Sequence, residues 1–449
     1  MTKQLKAVLP KSSRGFFFAT LVLIPFRLRL LLLARPVEAV WGDYTNFLLF
    51  ASDISLLLLM GSWAAERFLQ RRSLETGPAF LTLPLAGLTL AALLTSVTSI
   101  DPGLSLYHSL RLLLLFAFYL YVLNEVSSIR QLVVPLGLML AIQAAVAIAQ
   151  ALAQHSIGLP WLGEYELDPA WSGVSVVWTE STRVLRAYGL SDHPNILGGC
   201  LALGLLLFTQ GFLTKDKDKW WPLSVAVILA AAVALLFTFS RSAWLGAGLG
   251  SIFFGFQLVK RGDPAIILRA LALAATVALV LLPFLVANSE LLGVRLGAGG
   301  SFQEIPAEIG SLGERRLLIG AANTIFSQHA LAGVGVGNSP LALKQESPDI
   351  GINYQPPHVV LLAAAVETGL FGALFYLTLL AAPWLALAFS RKFSMTENLA
   401  AAFAVLLALT AIGFFDYYTW LLTPGRLLQY LAWGLWARFY VDAKSIARS

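Results

Sequence analysis

The chain has 449 residues, 58% of them hydrophobic and only 12% charged, with a net charge of +6 and a mean hydropathy of +0.75. These values exclude a soluble globular enzyme, and apolar runs that are continuous rather than alternating exclude a β-barrel. Cys200 is the single cysteine, which excludes an intramolecular disulfide and a cysteine-based metal site. The basic residues sit mostly in short loops, where they report orientation rather than nucleic-acid binding.

Runs of about 20 apolar residues, the length that crosses a bilayer, recur along the whole chain. They predict an all-α, polytopic membrane protein with about twelve spans, forming one integral membrane domain over 1–449. The spans fall at 15–34, 46–65, 78–97, 104–123 and 132–153, then at 195–212, 221–239, 243–259 and 265–287, and finally at 358–387, 399–415 and 427–441. Arg27 and Arg29 interrupt the first, and break the apolar core that a cleaved signal peptide needs. With both termini in the cytoplasm, most of the 31 Lys and Arg fall on the inner side. The loops at 155–192 and 288–357 are then extracytoplasmic. The outer charges are nearly all Arg, beside Gly, His, Asn and Ser. Arg is the residue of planar, bidentate phosphate recognition, so this face points to a lipid-borne phosphate.

The stretch RVLRAYGLSDHPNILGG, 183–199, joins the first of these loops to a new helix. Pro194 suits a first helical turn, and Asp192 or Ser191 a cap. Arg183, Arg186, His193 and Asn195 beside such a helix start make an anion site. Trp161, Trp171 and Trp178 upstream fit an interfacial aromatic belt first and a sugar-stacking platform second. FSRSAW, 239–244, places Arg241 between Ser240 and Ser242 at a very tight turn. A lone arginine there snorkels to headgroups; the serines add donors that favour an anion.

In the long loop, Leu317, Leu318, Ala321, Ala322 and Ile325 recur at helical spacing, predicting an amphipathic helix over 314–327 at the membrane surface. Arg315 and Arg316 then stand at its N-terminal end, the wrong end for the helix dipole. The run GVGVGN, 333–338, lacks a preceding strand and an acidic ribose ligand, so its glycines serve a tight turn rather than a dinucleotide. His358 opens the tenth span, where a neutral imidazole is the best-placed general base. Glu367, inside an apolar run, requires a partner or a polar cavity. Asp216-Lys217-Asp218 has the form of a transferase metal motif but lies in a lysine-rich hairpin, and reads as a solvated turn. No nucleophile-elbow spacing supports a serine hydrolase.

The segments RAYGLSDHPNILGG, FSRSAWLG, ERRLLIGAA followed by HALAGVGVGN, and PHVVLLAAAVETGLFG resemble, in order, the O-antigen ligase and O-antigen polymerase superfamily. The resemblance implies a class C-like glycosyltransferase architecture in the bacterial inner membrane, with a long outer loop between the ninth and tenth helices. It implies transfer of a glycan from an undecaprenyl-diphosphate carrier to an acceptor hydroxyl, of lipid A core or another glycan, without metal or cofactor. By position, Arg186 and Arg241 resemble the arginines that bind the diphosphate. Arg316, with neighbour Arg315, resembles the loop arginine, His358 the histidine that activates the acceptor, and Glu367 the glutamate of E-x-G. Arg183, His193, Asn195 and Ser240 complete the substrate-binding set. Val359 and Gly320 depart from the family's usual Asn and Trp. A polymerase of the same superfamily differs only in acceptor. The rival class is a secondary transporter or lipid-linked-sugar flippase, against which stand the missing internal repeat and the clustering of polar residues at one face. A non-catalytic scaffold leaves the outer arginines without a role.

Overall fold

The computed structural model describes residues 2–178, 183–214, 219–296, 306–350, 353–389 and 394–446. Asp216, Lys217, Asp218, Arg391 and Lys392 lie outside these residues. The chain begins with α1 (Thr2–Leu23), a hairpin of β1 (Arg29–Leu33) and β2 (Phe47–Phe50), α2 (Ala51–Gln70), α3 (Ala79–Thr98), α4 (Pro102–Glu125) and α5 (Val133–Ala153). A second hairpin, β3 (Val176–Trp178) and β4 (Arg183–Leu185), leads into α6 (Pro194–Leu213), α7 (Trp221–Phe237), α8 (Arg241–Arg261) and α9 (Pro264–Ala287). Then come α10 (Ser289–Leu296), α11 (Pro306–Gln328), α12 (Ser339–Glu346), α13 (Val360–Phe389), α14 (Glu397–Gly413), α15 (Tyr418–Leu421) and α16 (Thr423–Ile446).

Among the described residues, seven helices are long and apolar enough to cross a membrane: α3, α4, α5 with its leading turn, α6, α8, α9 and α13. The protein is therefore an all-α, multi-pass membrane protein. α7 and α14 are apolar but shorter. α6 is the central post, with 89% of its apolar window buried, against none for α9. Small residues let neighbours close on α6: a Cβ at Gly198 would meet Ala243 Cβ at 2.8 Å, and one at Gly204 would meet Met139 at the same distance. Close backbone approach of this kind replaces hydrophobic driving force between helices in lipid. On α9, Leu268, Leu271 and Leu279 stay exposed, as a lipid-facing helix allows.

Three expectations from the sequence are corrected. The run 15–34 is not one span: α1 ends at Leu23, and Arg29–Leu33 pairs antiparallel with β2, Arg29 opposite Phe50. The cause is charge. Arg27 Nε and Arg29 bind Asp192 at 2.8 Å, and Arg29 also binds Asp43 at 2.6 Å, pairs that a helix continuing into lipid would forfeit. Second, α11 starts at Pro306 rather than 314, so Arg315 and Arg316 sit well inside it and the helix-dipole argument does not apply to them. Third, the apolar stripe of α11 faces protein: Leu318, Ala322 and Ile325 are buried against Val334, Ala342, Leu343 and Val366.

The glycine-rich turn forms as expected, with Gly333, Gly335 and Gly337 all at positive φ. It docks on a kink in α13 at Gly369 (φ 66°, ψ −168°) through Val334 N to Val366 O, 2.9 Å, and Gly335 N to Glu367 O, 3.0 Å. Glu367 finds partners rather than a cavity: it accepts from Ser339 Oγ and Trp420 Nε1, each at 2.7 Å. It thereby ties the turn to α15.

Candidate active site

The site is assembled around the first turn of α6. Its cap is His193, not Asp192 or Ser191: the imidazole Nδ1 accepts from Asn195 N at 3.1 Å, with Pro194 at the first helical position. Asp192 is turned away by Arg27 and Arg29, although burial pushes its carboxyl up to about 6. Because Nδ1 accepts, the proton of neutral His193 is on Nε2, which donates to Ser175 Oγ at 2.9 Å. Burial, followed by the charge of Arg186, holds this imidazole well below its ordinary value of 6.5. His358, Arg315 and Arg295 act on it in the same direction.

Arg186 is buried and bridges two elements. Its Nε donates to Thr238 O at 2.8 Å and its NH2 to Asn195 Oδ1 at 2.5 Å. Asn195 passes the contact on, donating from Nδ2 to Asp416 Oδ2 at 2.7 Å. The buried Asp416 also accepts from Tyr417 N at 2.9 Å. Burial raises this carboxyl above the ordinary 3.8, with Arg315 opposing. The Tyr417 hydroxyl bonds that of Tyr44, and its ring meets His358 edge-on, centroids 5.0 Å apart. Burial, then Arg315, lowers His358 to about 3, so it is neutral near pH 7. Its Nδ1 is buried and has no hydrogen-bond partner among the described residues.

The α7–α8 turn closes the other side. Phe239 takes a positive φ of 46°, unusual for a phenylalanine, which lets three residues reverse the chain. Its carbonyl accepts from Arg295 Nε (3.2 Å) and NH2 (2.9 Å), and Arg241 NH1 donates to Arg295 O at 3.1 Å. Arg186 and Arg295 thus converge on the carbonyls of Thr238 and Phe239, beside Arg241. Ser240 is buried within this turn, its Oγ 3.4 Å from that of Ser242.

Of the residues singled out in the sequence, Arg186, His193, Asn195, Ser240, Arg241, Arg315 and His358 are brought together. Arg183 is not. It donates to the carbonyls of Ala170 and Trp171 and stacks on Trp178, stapling its own loop. Arg316 is exposed on α11, while half-buried Arg315 is the one whose charge reaches His193, His358 and Asp416. Glu367 stands behind the glycine-rich turn. Sequence reasoning missed Arg295, Asp416, Tyr417 and Tyr44. A lone acid between aromatic residues at the end of a span, as in FFDYYT, was the available signal for Asp416.

Residues 225–377, from α7 into α13, match the family model Wzy_C, described as O-antigen ligase. This match, over about a third of the chain, supports the O-antigen ligase superfamily. It supports an O-antigen ligase-like function in surface-polysaccharide synthesis. The O-antigen ligase segment holds Arg241, Arg295, Arg315 and His358, whereas Arg186, His193, Asn195 and Asp416 come from outside it. A search of curated proteins gives no match to the chain.

Proposed function

We propose that this O-antigen ligase-like protein transfers a glycan from an undecaprenyl-diphosphate carrier to an acceptor hydroxyl on the outer face of the inner membrane. What supports the reading is that the charges of Arg186, Arg295 and Arg315 act on His193, that Arg241 is bonded to the Arg295 carbonyl, and that His358 Nδ1 is buried with no hydrogen-bond partner among the described residues. The donor diphosphate lies against Arg186, Arg241, Arg295 and Arg315. The acceptor oxygen attacks the anomeric carbon, the bond from that carbon to the phosphate oxygen breaks, and undecaprenyl diphosphate leaves with the electron pair. The arginines stabilise the negative charge that grows on it, which is electrostatic catalysis in a water-poor site. His358 Nδ1 takes the acceptor proton.

The depressed basicity of His358 fits this order of events. An imidazole held near 3 is a weak base. A bound diphosphate offsets Arg315 and places negative charge nearby, which favours the protonated imidazole and raises its pKa. The base strengthens only once the donor is in place. Asp416, through Asn195, holds Arg186 in position and receives no proton. Arg315 takes the part that the sequence assigned to Arg316. The acceptor is lipid A core for a ligase and a growing glycan for a polymerase.

The test is transfer from a purified lipid-linked donor to each acceptor class, with and without EDTA. Transfer that survives chelation supports the arginine account. Loss with EDTA and rescue by Mg²⁺ or Mn²⁺ would overturn it and bring Asp216 and Asp218 back.

A further inference from the structure

A separate cavity of about 370 Å³ lies between α1, α2, α4 and the start of α5. It is far from the arginine cluster. Phe50, just before α2, packs under Arg29 on the site side, and Glu66 is sixteen residues further along, about 24 Å at the rise of an α-helix. The cavity therefore opens at the opposite end of the helices.

Its floor holds a carboxylate short of ionic partners. Glu66 is 5% exposed, yet among the described residues it receives only Ser13 Oγ at 3.2 Å, Gln70 Nε2 at 3.4 Å and Arg72 NH1 at 3.9 Å. The Arg72 side chain is 56% exposed, so water screens that last contact. Neighbouring Glu125 shows the contrast, accepting from both Arg67 and Trp63 Nε1 at 2.8 Å. A buried carboxylate demands a close cation or donor set. At the mouth, Arg14 and Arg72 are exposed, and between mouth and floor run Phe17, Phe18 and Pro135.

We propose that this cavity binds a phospholipid whose headgroup carries a primary ammonium, the ammonium on Glu66 and the phosphate between Arg14 and Arg72. A primary ammonium has three N–H donors for the Glu66 oxygens and the Ser13 hydroxyl. A trimethylammonium has none, and an anionic glycerol headgroup leaves Glu66 unpaired. The apolar walls receive the two methylenes between ammonium and phosphate, and the glycerol and acyl chains continue past the mouth into the surrounding bilayer, which selects a membrane lipid over a free amino-phosphate.

The experiment is lipid retention by the full chain. Delipidated protein in detergent is offered phosphatidylethanolamine, phosphatidylcholine and phosphatidylglycerol in equal amounts, and bound lipid is read by native mass spectrometry, with soluble phosphoethanolamine as competitor. Selective retention of phosphatidylethanolamine is expected, roughly 10- to 100-fold weaker in Glu66→Gln, the worth of one charge-assisted hydrogen bond. Arg14→Ala, at an exposed position that folding tolerates, is expected to weaken retention as well. Equal retention of the three lipids, or wild-type retention by either variant, overturns the proposal. Full displacement by soluble phosphoethanolamine overturns the lipid assignment.

Discussion

Arg315 and Arg316 are neighbours in sequence with the same charge, and the structure gives them different surroundings. Half-buried Arg315 acts on His193, His358, Asp416 and Tyr417, while Arg316 is exposed. Removing the charge with Arg315→Gln deletes a guanidinium contact to the diphosphate. Net hydrogen bonds to charged groups contribute about 1.5–3 kcal/mol; at 1.36 kcal/mol per tenfold, that is roughly a 10- to 150-fold loss in donor binding. Its absence also lets His358 rise from about 3, because a positive neighbour disfavours the imidazolium. Arg316→Gln removes a solvated charge and leaves donor binding within about twofold of wild type. The assay is equilibrium binding of the undecaprenyl-diphosphate glycan to both variants in nanodiscs. Equal losses, or a harmless Arg315→Gln beside a damaging Arg316→Gln, refute the placement of α11.

Three further outcomes are expected. Asn195→Ala removes both the acceptor of Arg186 and the donor to Asp416, so transfer falls roughly 10²-fold or more, as for a broken buried charged network; transfer within about threefold of wild type contradicts the chain. The NMR signal of His358, identified by its loss in His358→Ala among the five histidines, titrates far below 6.5 in the empty protein and moves up when the donor binds. Donor binding then takes up a proton and tightens as pH falls between the two pKa values; a midpoint near 6.5 unmoved by donor contradicts this. Gly369→Ala forces a side chain into a φ/ψ region that is essentially glycine-only, with its Cβ against the Leu331 carbonyl. The variant loses about 1–3 kcal/mol of stability from backbone strain alone, read as a lowered melting temperature in detergent; an unchanged melt contradicts the kink.

The long apolar runs were legible because a bilayer demands about 20 apolar residues wherever it is crossed. Eleven of the twelve stretches read as spans are helical through most of their length; the first, 15–34, is helical only to Leu23. What failed was local inference about charges whose partners are distant. Arg27 and Arg29 read as flaws in a span because Asp192, more than 160 residues on, is their partner. Asp192 in turn read as a helix cap, a role that passed to His193 once those arginines claimed it. Arg315 and Arg316 differ by about 100° around a helix, and only the packing of Leu318, Ala322 and Ile325 decides which one turns inward. Tyr44 carries no motif, and Asp416 only the pattern of a lone acid among aromatic residues. Their place follows from α14 and the first hairpin closing on α6, a tertiary fact that no period in the sequence encodes.

The central claim, that arginines hold the donor diphosphate while His358 moves a proton, is tested most directly by measuring donor binding and single-turnover transfer side by side in Arg186→Lys and His358→Ala. Lysine keeps the charge but cannot reach both Thr238 O and Asn195 as the guanidinium does, so Arg186→Lys loses binding and transfer together. His358→Ala binds donor as wild type does while transfer falls roughly 10²–10⁴-fold, the usual share of a general base. Loss of donor binding in His358→Ala as severe as in Arg186→Lys would make the histidine a diphosphate ligand, and a normal transfer rate would give its proton to another group; either result contradicts the account.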